Sequence, residues 1–261
     1  MSGLVVLLSD FGSSEYAGVM KGILARHPAG LRWCDLTHAV SPQGVREGAW
    51  ILYTSYRYFP EGAVFLAVVD PGVGTSRQAV AVRTRGYMFV GPDNGLLWAA
   101  VQDDGGPLEA VALPVPPEAS STFHGRDVFA PAAARLAAGE PLAALGPPTT
   151  LRETLRFHRQ GREGEVVRVD AFGNVVTNLP PVPGSDAYEL ELDGQPRSRR
   201  AAVRAVATYA DGVTGEWVAV TGSAGTLEVA VVGGSASRRL KVQPGRKIRL
   251  EPVGEGGGPR A

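Results

Sequence analysis

Two short segments carry residue types able to hold and activate a small nucleophile. Asp70-Pro71-Gly72-Val73-Gly74-Thr75-Ser76-Arg77 takes a carboxylate out of an apolar run, turns through two glycines and ends on a guanidinium. Phe123-His124-Gly125-Arg126-Asp127 puts one of the four histidines immediately before a predicted helix. Histidine titrates near pH ~6.5 and gives or takes a proton at neutral pH, which suits it to positioning or deprotonating water. Read locally, the first segment is equally a tight loop with a surface Asp–Arg pair, and the second a histidine steadying a helix start. The two glycines would also let backbone N–H groups approach an anion, but the lysine of a Walker motif is missing. A third carboxylate, in Asp10-Phe11-Gly12, is placed as an acidic residue that accepts both hydroxyls of a ribose, or as a simple turn residue. Asp170-Ala171-Phe172-Gly173-Asn174 offers a carboxylate, an aromatic face and an amide; turn chemistry accounts for the glycine and asparagine but not for the phenylalanine. His38, in Asp35-Leu36-Thr37-His38, is intermediate in character, while His27 and His158 read as solvated.

Those groups need a scaffold. Four apolar runs each end on an aspartate: Leu4 to Asp10, Leu31 to Asp35, Val64 to Asp70 and Tyr87 to Asp93. Runs of this kind, separated by helical stretches, read as strands buried on both faces of a parallel sheet, with the aspartates on the carboxyl-end rim where ligands sit. Tyr16, Val19, Met20, Ile23 and Leu24 share a helical stripe that stops before Pro28; a second helix is predicted over 45–58, with Ala49, Leu52, Tyr53 and Tyr56 inward. Shorter helices are predicted over 94–102 and 127–138, the latter capped by Asp127. The fold class is therefore α/β, a mostly parallel sheet flanked by helices over residues 1–150. Residues 151–163 read as a polar linker. Seven short alternating runs over 164–253 predict a smaller antiparallel β-barrel or sandwich, and the Gly-rich residues 254–261 a disordered tail.

Composition narrows the function classes. The 261 residues have a formal net charge of +0, so no basic surface invites nucleic acid or anionic lipid. The opening Met1-Ser2-Gly3 has no basic leader and no apolar run approaches a membrane span, so a cytoplasmic protein is expected. Cys34 stands alone, which excludes an internal disulfide and a multi-thiolate metal site, and it reads as a small core residue.

Taken in order, Ser9-Asp10-Phe11-Gly12, Asp35-Leu36-Thr37-His38, Val45-Arg46-Glu47-Gly48-Ala49, Val69 to Thr75, Val90 to Gly95, Phe123 to Asp127, Asp170 to Asn174 and Gly233-Gly234-Ser235-Ala236 resemble the S-adenosyl-L-methionine (SAM) hydrolase family, which is related to the SAM-dependent fluorinase and chlorinase. The resemblance spans nearly the whole chain. It implies conversion of SAM and water to adenosine and L-methionine without metal or cofactor, in a homotrimer whose active site joins the α/β domain of one subunit to the β domain of the next. It assigns water handling to Asp70, Arg77 and His124, and the ribose diol to Asp10. It further implies that Phe123 lines the pocket, that Asp170 and Ser223 hold the methionine amino and carboxylate groups, and that Phe172, Asn174 and the backbone from Val231 to Gly233 surround adenine. Gln43 departs from the family's usual aromatic residue, and Ser9 from its usual threonine. The related halogenases carry a tyrosine at position 70 and Tyr-Ser at 124–125, where this chain has Asp70 and His124-Gly125.

The chemistry agrees with that assignment. A sulfonium leaves as a neutral thioether and needs no general acid, so the burden falls on the nucleophile. One water held in line with C5′ gains from alignment, worth roughly 7–11 kcal/mol. Arg77 would favour its hydroxide character, His124 would hydrogen-bond it or take its proton, and Asp70 would orient the pair. Three other readings remain open: a SAM-dependent halogenase, a metal-dependent phosphohydrolase using Asp10, Asp35, Asp70 and Asp93, and a non-catalytic SAM or adenosine sensor.

Overall fold

The computed structural model describes residues 3–27, 30–193 and 201–253. Met1 and Ser2 of the expected leaderless start, the helix-stopping Pro28 and the tail 254–261 lie outside the described residues. The chain divides into two compact units, 1–156 and 157–261.

The first unit is a six-stranded sheet with helices on both faces. Its strands are β1 (Leu4–Ser9), β2 (Arg32–Thr37), β3 (Val64–Val68), β4 (Ala79–Arg83), β5 (Met88–Pro92) and β6 (Glu109–Ala112), in the order β2-β1-β3-β5-β4-β6. β2, β1, β3 and β5 run parallel, so Asp10, Asp70 and Asp93 leave the sheet at one end. β4 pairs antiparallel with β5 and β6. The helices are α1 (Tyr16–Ala25), α2 (Val45–Ser55), α3 (Trp98–Asp103) and α4 (Ala130–Ala137).

The two-residue period of each strand sorts its side chains between the layers. Leu7 belongs to a core with Met20 and Leu24 of α1 and with the small residues Ala130, Ala133 and Ala134 of α4. Leu8 faces α2, where a Cβ on Gly48 would lie 3.6 Å from its Cδ2 and 2.9 Å from Leu96 Cδ1.

Three expectations are corrected. β2 is not buried on both faces, because it is an edge strand: Trp33 is exposed and Cys34 is half-buried. Tyr16 and Val19 are exposed, so the buried stripe of α1 is Ala17, Met20 and Leu24. Asp127 does not cap a helix; its carboxylate accepts from Arg126 Nε at 2.7 Å and from the Ser120 N–H at 2.8 Å.

In the second unit β7 (Glu163–Val169), β8 (Val175–Thr177), β9 (Ala187–Leu192), β10 (Ala201–Val206), β11 (Trp217–Thr221), β12 (Leu227–Val231) and β13 (Lys247–Pro252) close into a barrel in the order β10-β11-β12-β8-β7-β13-β9. All pairs are antiparallel except β10/β11. Alternate residues of β9, Tyr188, Leu190 and Leu192, fill the interior with Val203, Val229 and Ile248. A five-residue helix, α5 (Ala236–Leu240), follows β12. His158 is not simply solvated, since its Nε2 lies 2.8 Å from Glu163 Oε1. No helix among the described residues is long and apolar enough to cross a membrane.

Candidate active site

Asp70 follows the fully buried strand β3, and the chain then turns tightly enough to bring Arg77 back against it. The Asp70 C=O accepts from the Val73 N–H at 3.2 Å, and the Gly72 C=O from the Thr75 N–H at 3.2 Å and hydroxyl at 2.7 Å. Gly74 has φ +75°, and a Cβ there would stand 2.3 Å from the Ser121 carbonyl oxygen. Only glycine permits both that backbone and that approach. The close approach sets the Asp70 turn against the segment that leads to His124.

Arg77 Nε donates to both Asp70 oxygens, at 2.9 and 3.1 Å, and its Nη2 also donates to Asp70 Oδ2. Both side chains are largely buried, at 10% and 6% exposure, which makes this a desolvated pair and not a surface one. The guanidinium carbon lies 5.2 Å from the centroid of the Phe129 ring. The same Nη2 lies 2.8 Å from Nδ1 of His124. Arginine has donors only, so Nδ1 is the acceptor and the neutral imidazole carries its hydrogen on Nε2. Burial, and then the Arg77 charge, push the His124 pKa below its ordinary value, against the opposing pull of Asp70 and Asp127. Arg77 Nη1 is buried and has no hydrogen-bond partner among the described residues.

His124 precedes a π-helical turn, Gly125–Phe129, that runs directly into α4. Such turns insert one residue into a helical path and recur at functional sites. Gly125 packs closely there: a Cβ would meet the Phe123 ring at 3.0 Å and Met20 Sδ at 3.1 Å, so both side chains would have to give by a few tenths of an ångström.

A cleft of about 450 Å³ opens over this cluster, lined among others by Asp10, Tyr16, Gln43, Asp70, Phe123 and His124. Its size suits a small organic ligand. Phe11, Tyr16 and Phe123 form an aromatic wall, with Phe123 4.9 Å from Tyr16 and 5.9 Å from Phe11 between ring centroids. Asp10 Oδ2 accepts from the Gln43 N–H at 2.8 Å, and Gln43 holds a left-handed φ of 63°. Asp10 Oδ1 has no donor among the described residues and remains available to a ligand hydroxyl. Thus Asp70, His124, Asp10 and Phe123 meet in one cleft with Arg77 behind them. Tyr16 and the backbone of Gln43 were not read as site residues from sequence, which placed Tyr16 on the apolar stripe of its helix; its exposure, which frees the ring for the cleft, follows only from the fold.

The four rim aspartates do not converge. Asp35 is paired with Lys21 Nζ at 2.6 Å. Asp93 is buried and accepts from the N–H groups of Arg152 at 2.8 Å and Glu153 at 3.3 Å. That use of Asp93 docks part of the predicted linker on the first unit. No group of three or more His, Cys, Asp or Glu suited to a metal occurs among the described residues.

In the second unit Asp170 acts within its own loop. Its Oδ1 accepts from the N–H groups of Phe172 at 2.9 Å and Asn174 at 2.8 Å, and its Oδ2 from Asn174 Nδ2 at 2.8 Å. The loop presents the Phe172 ring at 81% exposure while Asn174 is buried. Gly173, at φ +85°, packs against Ser235, which places this loop beside the Gly233 to Ser235 segment. Val231 points its side chain into the barrel core, so only its backbone faces outward. Ser223 lies apart, in the exposed turn between β11 and β12.

Comparison with known proteins agrees with this arrangement. Residues 5–146 match the SAM hydroxide adenosyltransferase N-terminal domain and residues 164–249 its C-terminal domain. The chain is 44% identical to a protein of Thermus thermophilus named (R)-S-adenosyl-L-methionine hydrolase, over 94% of this chain and 98% of that one. It is 42% identical to the Salinispora tropica protein of the same name, over 93% and 95%. An uncharacterized conserved protein from Thermotoga maritima has the same fold, with a TM-score of 0.84 and 36% identity over 94% of this chain and 99% of that one.

Proposed function

Because the chain belongs to the SAM hydroxide adenosyltransferase family, we propose that it hydrolyses SAM, in the (R)-sulfonium form for which its relatives are named, to adenosine and L-methionine. The observation that carries this reading is the buried Asp70–Arg77–His124 cluster beneath a cleft that also holds the Asp10 carboxylate. Metal ions and cofactors have no part in the proposed reaction.

The chemistry follows from the donors and acceptors. A water in the cleft accepts from Nε2–H of His124, with the Arg77 guanidinium lying behind that imidazole. With Nδ1 already accepting from Arg77, the imidazole orients the water as a donor, and the proton acceptor is the Asp70 carboxylate. The water oxygen forms a bond to C5′ as the C5′–S bond breaks in line. The bonding pair goes to sulfur, which leaves as the uncharged thioether of methionine, and the proton passes to Asp70. Asp10 Oδ1 holds the ribose hydroxyls, and the aromatic wall of Phe11, Tyr16 and Phe123 keeps bulk water from the reacting centre.

Asp170, Phe172, Asn174, Ser223 and the backbone from Val231 to Gly233 are proposed to serve a neighbouring subunit's substrate in a homotrimer, with Asp170 shaping the loop that carries Phe172. Light scattering should give three times the 27.4 kDa chain mass. The decisive experiment incubates chelator-treated protein with SAM in oxygen-labelled water and weighs the adenosine. Label in the 5′-hydroxyl supports the reading. Unlabelled adenosine, no product, or chloride-dependent 5′-chloro-5′-deoxyadenosine overturns it.

A further inference from the structure

The segment Asp35-Leu36-Thr37-His38 has no part in the chemistry above, yet it and the residues that follow as far as Gln43 are tied to the Asp10 loop by four hydrogen bonds or close contacts. His38 Nδ1 lies 2.7 Å from Ser9 Oγ. Ser9 is fully buried, and its Oγ accepts from the Phe11 N–H at 3.3 Å. The hydroxyl can donate to a bare Nδ1 or accept from a protonated one, so the contact holds in either tautomer. Nε2 lies 3.1 Å from Asp35 Oδ1, whose other oxygen accepts from Lys21. The His38 C=O accepts from the Gly12 N–H at 2.7 Å, and the Ser9 C=O from the Val40 N–H at 3.4 Å. Five residues after His38, the Gln43 N–H donates to Asp10.

Lys21, Asp35, His38 and Ser9 follow one another in contact and include the residue types of a hydrolase triad, but His38 Nε2 makes no hydrogen bond among the described residues, and the serine is sealed from solvent and cannot meet a substrate. What the contacts do is clamp the loop after β1 to the loop after β2 on either side of Asp10. We propose that His38 is a positioning residue that fixes Asp10 for the ribose diol. This rests on the assignment of Asp10 to the ribose in the proposed reaction. Asp10 touches substrate; His38 acts through it. Gln43 lines the cleft and its N–H holds one Asp10 oxygen, so a shift of either loop changes which hydroxyls the carboxylate can reach.

The test uses the full chain with His38→Ala and His38→Asn, since the Asn amide can present either its Oδ1 or its Nδ2 to Ser9 Oγ where Nδ1 stands. In hydrolysis assays His38→Ala raises KM about tenfold with kcat changed less than about twofold, and His38→Asn returns KM toward wild type. In an Asp10→Ala background the His38→Ala effect vanishes, as expected for two residues acting as one unit. The same variants are titrated with adenosine and 2′,3′-dideoxyadenosine by calorimetry. Weakened binding of adenosine alone supports the proposal; equal weakening of both, or a full His38→Ala penalty without Asp10, overturns it. If wild type binds adenosine but releases none from SAM, the hydrolysis reading fails and the calorimetric result still decides the role of His38. If wild type binds no adenosine, both fail.

Discussion

Arg77 Nη2 is shared between two partners, donating to Asp70 while lying 2.8 Å from Nδ1 of His124, and this one contact fixes the tautomer of the imidazole. Burial and the Arg77 charge hold the His124 pKa low, so the neutral ring should persist into acid beyond pH ~6.5. The rate of adenosine release should stay flat as pH falls through that value and drop only further down, when Nδ1 takes a proton facing the guanidinium. The stability sign is the same. Between the folded and unfolded values the unfolded chain binds more protons, so stability rises with pH there, is complete above about 6.5 and is lost as pH falls through the folded value. Urea midpoints across this range, with His124→Gln as the flattened control, check it.

Asp70→Ala, Arg77→Ala and His124→Ala should retain SAM binding and lose most turnover, by about 10²-fold or more. Wild-type turnover in any one of them removes that residue from the mechanism. Removing either member of the Asp70–Arg77 pair also leaves a charge uncompensated at 10% exposure or less, and should lower stability by about 3–5 kcal/mol. Arg77→Lys should behave nearly as badly, because an ammonium cannot serve Asp70 and His124 in the same fork geometry.

Gly74→Ala should destabilise the first unit by about 1–3 kcal/mol, since a Cβ would be strained at φ +75° and would drive into the Ser121 carbonyl. Because that contact joins the turn after Asp70 to the approach to His124, kcat should fall along with the unfolding midpoint. A variant that melts early but turns over at the wild-type rate would show that the two loops are not coupled.

Gln43→Gly should leave stability within about 1 kcal/mol of wild type, the relief of a left-handed backbone offsetting the extra freedom of glycine in the unfolded chain. Gln43→Val, branched at Cβ, should cost about 1–2 kcal/mol and loosen SAM binding through the Asp10 contact. Equal thermal midpoints for the two variants would refute the strain argument.

The strands that carry Asp10, Asp70 and Asp93 were legible because each is an apolar run that ends on an aspartate, the pattern of buried parallel strands. The seven barrel strands were legible because they alternate. β4 and β6 were not: Ala79 to Arg83 and Glu109 to Ala112 are short and alanine-rich, and their pairing is settled by contacts distant in sequence. The π-helical turn at Gly125 likewise leaves no periodic signal. At the site, the residue types at 70, 77 and 124 suggested their chemistry. Whether Asp70 and Arg77 were a surface pair or a buried one depended on the fold. The resemblance also assigned Asp170 to substrate; that its carboxylate accepts three hydrogen bonds inside its own loop is a feature the sequence does not reveal.

The barrel closes on itself through β9 and β10, so every strand in it has neighbours on both sides. In the sheet of the first unit, β6 is covered along its outer side by the 147–149 segment, through the Ala112 N–H to Pro147 C=O and Thr149 N–H to Ala110 C=O bonds. Among the described residues this leaves β2 as the edge strand of that sheet, with no further strand beside it, where Arg32 and Trp33 stand exposed. Chains that misassemble by recruiting a foreign strand would therefore do so at β2, and the charge of Arg32 on that rim is the feature that opposes it.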